Sequence, residues 1–347
     1  MRRCFRVMFI LACLVTFLLY LHSFLSEDVS SSKRSVIRKT SVIIDEHHSE
    51  DSTSQNHSVL VLLNGQLRGG TIAWNSFQHY VLNFYDADLA YIGPPLQVKT
   101  AVSQALKKRA KWVWEYDDPS DWATYFVRPN SEEADRSTLW TYCTAPFNGE
   151  QFLGGVKLGG VCKHEGSAGM LLSYRRLAQE KLLEKKLYTK YEWIIYSRAD
   201  YFYMCSPPEL VNFNPTSVYI PKGEGYGGVT DRLHFLPGYL APLALNITNH
   251  FLSKASFWIK ASRGANLEKL LKIYFEETNI PVGFFDHVAF TIRAEGDSSS
   301  WGPGSGFAHH SLSEFKVRPK YMSEFHDALE TCVQLKLKAR KFFKVTN

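Results

Sequence analysis

An aspartate stands just beyond an apolar run in the segment Tyr191–Tyr203, YEWIIYSRADYFY. If that run is a buried strand, Asp200 lies at its carboxyl end, where open α/β sheets bind ligands in a crevice. A carboxylate there suits a divalent ion bridging two phosphates. Arg198, two residues earlier, suits a phosphate oxygen pair in fork geometry. The alternative is structural: the two side chains close on each other as an ion pair that ends the strand.

A second segment, PKGEGYGGVTDRL over residues 221–233, carries Gly223, Gly225, Gly227 and Gly228 in six positions, with Glu224, Asp231 and Arg232 beside them. Glycines permit unusual dihedrals and a close approach to a ligand; a solvated surface turn has the same composition. A third segment, Asn64-Gly65-Gln66-Leu67-Arg68-Gly69-Gly70, joins an apolar run to a helical pattern. Backbone amides at a helix start favour anions, and Arg68 adds charge. Gly166-Ser167-Ala168-Gly169 could hold an anion in the same way, although Ser167 as a plain helix cap accounts for it. The Asp286-His287 pair suits acid–base work or a structural contact. The chain has no GxxxxGK[ST], GxSxG or HExxH pattern.

The elements that must position these residues alternate. Val59–Leu63 reads as a buried strand, Thr71–Phe84 as a helix and Asp88–Ile92 as a second strand. Val102–Ala110 reads as a helix and Lys111–Tyr116 as a strand, with loops over 128–165. Ser167 through Lys186 reads as a long helix, Tyr191–Tyr196 as a central strand and Ser217–Ile220 as another. Asn266–Phe275 reads as a helix and Val288–Arg293 as a late strand. The last basic stretch reads as an exposed helix or a frayed tail. This β-loop-α-β opening predicts an α/β fold with a mixed sheet flanked by helices.

Charge and hydropathy place that domain in a longer plan. Val7–Leu25 is an uncharged apolar stretch, long enough to span a bilayer core. Arg2, Arg3 and Arg6 precede it, and Glu27 and Asp28 follow, which predicts a cytosolic N-terminus and a lumenal remainder. The expected division is a cytosolic tail over 1–6, a signal anchor over 7–25, a flexible stem over 26–57, a lumenal domain over 58–330 and a basic tail over 331–347. The formal charge of +6 belongs to the ends: the three arginines, with Lys336, Lys338, Arg340, Lys341 and Lys344, leave the middle at about −2. Nucleic-acid binding needs its positive charge on the folded domain and is set aside. The sequons at Asn56 and Asn246 agree with a lumenal glycoprotein. Cys143, Cys162, Cys205 and Cys332 allow two disulfides in three pairings, of which Cys143 with Cys162 is the most local.

Taken in order, NGQLRGG, DADLAYIG, GSAG, the RAD segment and GYGGVTDR resemble a glycosyltransferase-like family. It is similar in outline to the WavE-type lipopolysaccharide synthesis proteins and to eukaryotic and large-virus relatives. The resemblance covers roughly residues 58–300. It implies a GT-A-like fold of the nucleotide-diphospho-sugar transferases, a nucleotide-sugar donor, and a glycan, protein or lipid acceptor. It implies Mn2+ or Mg2+ at Asp200, although Arg198 stands where an Asp-x-Asp motif has its first carboxylate. Gln66, Arg68, Arg198, Gly227, Gly228 and Arg232 become donor contacts, and Asp231 or Glu224 the proton acceptor if transfer inverts configuration. The expected setting is the Golgi or ER membrane. Two other functions fit the same topology: a Golgi sulfotransferase, and a non-catalytic glycan-binding ectodomain on a transferase-like fold.

Overall fold

Val59–Asn64 (β1) is VLVLLN, and every one of its residues is buried. A strand apolar on both faces has to lie inside a sheet covered on both sides, and parallel pairing is the arrangement that provides this. The computed structural model describes residues 58–96, 100–117, 156–158, 161–163, 167–223, 225–253, 267–294 and 317–345. The expected anchor over 7–25 and stem over 26–57 lie outside the described residues. Among the described residues no helix is long and apolar enough to cross a membrane.

From β1 the chain passes through helix α1 (Gly70–Phe77), which widens into a π turn over Gln78–Leu82, to β2 (Asp88–Gly93). Helix α2 (Ala101–Arg109) leads to β3 (Trp112–Glu115). Thr100 caps α2, its hydroxyl accepting from the Ser103 amide at 3.2 Å. A small hairpin pairs β4 (Val156–Leu158) with β5 (Val161–Lys163). Helix α3 (Ser167–Glu184) then precedes β6 (Trp193–Arg198) and β7 (Tyr201–Tyr203). Next come β8 (Val218–Pro221), β9 (Leu233–Pro237), helices α4 (Ile247–Ser253) and α5 (Leu267–Glu277), β10 (Val282–Phe285) and β11 (Ala289–Ala294). Strand β12 (Val317–Pro319) and helix α6 (Met322–Val345) complete the order.

Seven strands form the central sheet in the order β10-β8-β9-β6-β1-β2-β3. β1 is parallel to both β2 and β6, whereas β9 runs antiparallel to β6. One face buries Leu60, Leu62, Ile194 and Leu236 against α3 and α5. The other buries Val61, Leu63, Ile195 and Phe235 against α1. A second sheet, β12-β11-β7, packs Phe202, Phe290 and Ile292 on Phe325 and Ala328 of α6.

Three sequence expectations change. The helix expected over 71–84 stops being α-helical after Phe77, where the backbone shifts to i+5 bonding. Strand β6 ends at Arg198, two residues beyond the expected Tyr196, so Ser197 and Arg198 are ladder residues. The boundary expected at residue 331 falls inside the continuous helix α6, so of the two readings of the basic stretch the helical one holds as far as Val345, and Cys332 within it is bonded to Cys205. Cys143 lies outside the described residues.

Candidate functional site

The sheet changes direction at β1. The chain leaves β1 for β2 and β3 on one side, then returns to place β6 on the other. Between the carboxyl ends of two such strands the following loops diverge and leave a crevice. Asn64 and Arg198 are register partners at that point. The Asn64 amide donates to the Ser197 carbonyl at 2.6 Å, and the Asn64 carbonyl accepts from the Ala199 amide at 2.8 Å. The Asn64 side chain is fully buried, and its Oδ1 has no hydrogen-bond partner among the described residues.

Two glycines bring the β1–α1 loop onto the Asp200 segment. Gly65 and Gly70 have φ of +94° and +62°, values that side-chain-bearing residues rarely adopt. Gly69 lies so close that a Cβ there would be 3.6 Å from the Asp200 Cα. Gln66 and Arg68 are therefore at the crevice, joined by an Arg68 Nε to Gln66 Oε1 hydrogen bond of 2.6 Å. Beneath them Leu63, Leu67, Trp74, Tyr201 and Arg198 line a small cavity.

Asp200 turns toward Arg198. Its Oδ1 accepts from Arg198 Nε at 2.9 Å and its Oδ2 from Nη2 at 2.7 Å, a bidentate pair with the carboxylate largely buried. The backbone of Asp200 is fixed as well, its carbonyl accepting from the Ile292 amide at 2.9 Å. The expected metal ligand Asp200 thus has each of its oxygens hydrogen-bonded to the Arg198 guanidinium. Among the described residues no three His, Cys, Asp or Glu side chains gather to hold a metal ion.

Asp231 and Arg232 approach from the other side of β6. The Arg198 amide donates to the Arg232 carbonyl at 3.1 Å. Asp231 is buried, its carbonyl accepts from Arg175 Nη2 at 2.9 Å, and its Oδ2 has no hydrogen-bond partner among the described residues. Burial pushes its pKa up, but Arg198, Arg232 and Arg175 together outweigh that and hold it below the ordinary carboxylate value. Arg175, from α3, is itself buried with its guanidinium 4.5 Å above the Tyr196 ring. His234 donates from Nε2 to the Thr230 carbonyl at 2.7 Å. Burial, then the Arg175 charge, pushes its pKa down to about 3, so the ring is neutral.

The glycine-rich loop packs on a helix. A Cβ at Gly228 would lie 1.9 Å from the Glu268 carbonyl oxygen, and one at Gly227, where φ is +83°, 3.1 Å from Lys269 Cε. Gly227 and Gly228, expected as donor contacts, thus meet the first turn of α5; Glu224 lies outside the described residues. The same packing delivers a carboxylate the sequence reading passed over. The Val229 amide donates to the Glu268 carbonyl at 3.1 Å. Burial, then the Asp231 charge, raises the Glu268 carboxyl to about 7. The signal was an acid in the first turn of a strongly amphipathic helix, which by itself reads as a favourable helix-dipole contact.

Of the remaining candidates, His287 lies against the glycine-rich segment, its Nε2 3.6 Å from where a Cβ of Gly223 would stand. Asp286 forms an exposed ion pair with Lys222 at 2.7 Å. His287 is buried, with Nδ1 3.4 Å from the Ala289 carbonyl. Ser167 begins α3.

The chain matches no protein-family profile and no curated protein. Among solved structures it is similar in outline to apo mouse xyloside xylosyltransferase 1, with 13% identity and a TM-score of 0.36. That alignment covers 66% of this chain and 85% of that one. It is also similar to a glycosyltransferase involved in the glycosylation of the major capsid of PBCV-1, with 8% identity and a TM-score of 0.32. There the coverage is 66% of this chain and 82% of that one. Likenesses this distant do not transfer either protein's activity to this chain.

Proposed function

We propose that the chain is a glycosyltransferase of GT-A type that moves a sugar from a nucleotide-diphosphate donor to a hydroxyl acceptor. The observation that carries this reading is the convergence of Arg198, Asp231 and Arg232 beside Asn64, where the sheet changes direction and strand ends open a crevice. Transfer breaks the bond between the anomeric carbon and the diphosphate oxygen, and the electron pair leaves with the diphosphate. Guanidinium groups held in place beforehand stabilise that gain of charge without reorganising.

The acceptor oxygen forms the new bond, and its proton needs a carboxylate when transfer inverts configuration. Two carboxylates with pKa values pushed apart divide the work. Asp231, held ionised by three arginines, is a weak base. Glu268, poised near 7, is the better proton acceptor. In this reading the N-terminal apolar stretch anchors the chain in the Golgi or ER membrane, and the stem presents the domain to lumenal acceptors that are glycans, proteins or lipids.

Thermal shift of the full chain in detergent, against UDP- and GDP-linked sugars, tests the assignment. A rise in Tm with one of these donors and none with adenosine 3′,5′-bisphosphate supports sugar transfer. The reverse pattern points to sulfate transfer. No rise with any of them leaves a non-catalytic ectodomain as the better description.

A further inference from the structure

We propose that Arg198, rather than a divalent cation held by Asp200, supplies the positive charge against the donor's diphosphate. This inference rests on the reading of the crevice as a donor site. A hard cation of the Mn2+ or Mg2+ kind takes about six oxygen ligands and needs carboxylate oxygens open toward it. At Asp200 both oxygens are occupied by one guanidinium, at 2.9 and 2.7 Å. A metal would have to share oxygens already engaged in two charge-assisted hydrogen bonds, beside a mostly buried guanidinium whose charge repels it. Asp231, a further carboxylate in the cluster, sits among arginines.

The pairing geometry leaves Arg198 a hand to work with. Asp200 engages the edge of the guanidinium formed by Nε and Nη2. Nη1 makes no hydrogen bond among the described residues, and Arg198 lines the cavity under the β1–α1 loop beside Leu67 and Trp74. That cavity is mainly apolar and has room for little more than a water, so a phosphate oxygen would reach Arg198 through the part of its side chain left exposed, where the guanidinium is already oriented by its carboxylate. Asp200 is then a positioning residue: it sets the plane of the fork and keeps it from folding away. When the bond to the anomeric carbon breaks, the electron pair settles on the diphosphate oxygen. The charge gained there is stabilised by a hydrogen bond donated from Arg198 Nη1, with no change in oxidation state anywhere.

The test is calorimetric titration of the full-length chain in detergent with UDP and with GDP, in EDTA and again with excess Mn2+. The expected result is one nucleotide whose Kd is the same in both buffers. Losing one charge-assisted contact in Arg198→Lys should weaken it about tenfold or more. Asp200→Asn separates the two roles without removing the arginine. With arginine as the charge, the variant keeps measurable affinity in EDTA. With Asp200 as a metal ligand, it loses a Mn2+-dependent gain that the parent chain shows. Binding that appears only with Mn2+ and disappears in Asp200→Asn overturns the inference while leaving the donor site intact. Binding of neither nucleotide in either buffer overturns the donor site, and the inference with it.

Discussion

Glu324 on α6 and Arg232 before β9 meet across 92 residues of sequence, with Glu324 Oε1 2.7 Å from Arg232 Nη1. Both side chains are almost fully buried. The second Glu324 oxygen accepts from the Thr291 amide at 2.9 Å, so this one carboxylate ties the C-terminal helix to β11 and to the loop bearing Asp231. Tyr321 adds its ring, 4.7 Å from the Arg232 guanidinium. Arg232, proposed above as part of the donor site, is thus held by helix α6.

Removing that carboxylate should therefore cost far more than a surface ion pair. Glu324→Ala leaves Arg232 charged in the interior and is expected to destabilise the fold by about 3–5 kcal/mol. Glu324→Gln retains an acceptor for Thr291 and should cost less. Urea unfolding of the two variants beside the parent chain checks this. A loss below about 1 kcal/mol for Glu324→Ala, the range of exposed pairs, would show that the contact is not buried in solution.

Glu268 sets a pH dependence whose sign is fixed. Its folded carboxyl titrates at about 7, above its ordinary value of 4.5, so the fold prefers the protonated form. The contribution to stability is fully present below 4.5 and is lost as pH rises through about 7. Asp231 acts the other way: its folded pKa is lowered from 3.8, so its contribution is present above 3.8 and is lost as pH falls below that value. Glu268→Gln should flatten the decline between 4.5 and 7 and leave the acid limb unchanged. Parallel Tm profiles for parent and variant across that window would remove Glu268 from its assigned environment. Under sugar transfer with inversion, turnover of the parent should climb with pH through about 7.

The Cys205–Cys332 disulfide spans 127 residues and fastens α6 at a buried position. A cross-link closing so long a loop chiefly restricts the unfolded chain, and native disulfides of this kind contribute about 2–5 kcal/mol. The double variant Cys205→Ala/Cys332→Ala is expected to lose stability in that range, measured by denaturant unfolding without reductant. Because Glu324 lies two turns before Cys332 on the same helix, adding Glu324→Gln to the double variant should cost less than the two separate losses combined. Full additivity would mean that the cross-link and the ion pair secure the helix independently.

The sequence was most informative where burial is two-sided. β1 and β6 are near-continuous apolar runs, and their place at the middle of the sheet follows from that pattern alone. β9 was missed because LHFLP is short, contains a histidine and ends in proline; its position beside β6 comes from long-range pairing that no local pattern encodes. The candidate residues were readable by type, and Arg198, Asp231 and Arg232 do converge. The pairing of Arg198 with Asp200 was one of two arrangements the sequence offered, and it is the one the structure has; the Arg175 and Glu324 partners across the fold were not readable. Whether Asp200 faces a ligand or Arg198 is decided by a side-chain rotation at the strand end. Glu268 enters the cluster only because α5 docks on a glycine 40 positions earlier in the chain.

That docking gives the last prediction. Gly65 and Gly228 are both in candidate loops, yet they are glycines for different reasons. Gly65 has φ of +94° with nothing within 4 Å of a Cβ, so Gly65→Ala carries only the backbone penalty, about 1–2 kcal/mol. Gly228 carries no such φ, but its Cβ would sit 1.9 Å from the Glu268 carbonyl oxygen and 2.4 Å from the Lys269 amide nitrogen. Backbone atoms in a helix cannot swing aside as a side-chain tip can, so α5 itself must move, at an expected cost of about 1–3 kcal/mol or more. The two variants are told apart by their pH profiles rather than by the size of the loss. Gly65→Ala should keep the decline in stability between pH 4.5 and 7, because Glu268 remains beside Asp231. Gly228→Ala should flatten it as Glu268→Gln does, because the carboxyl is carried out of the burial, and away from the Asp231 charge, that raise its pKa. An unchanged decline in Gly228→Ala would mean that the glycine-rich loop yields instead of the helix, and that Glu268 owes its environment to other contacts.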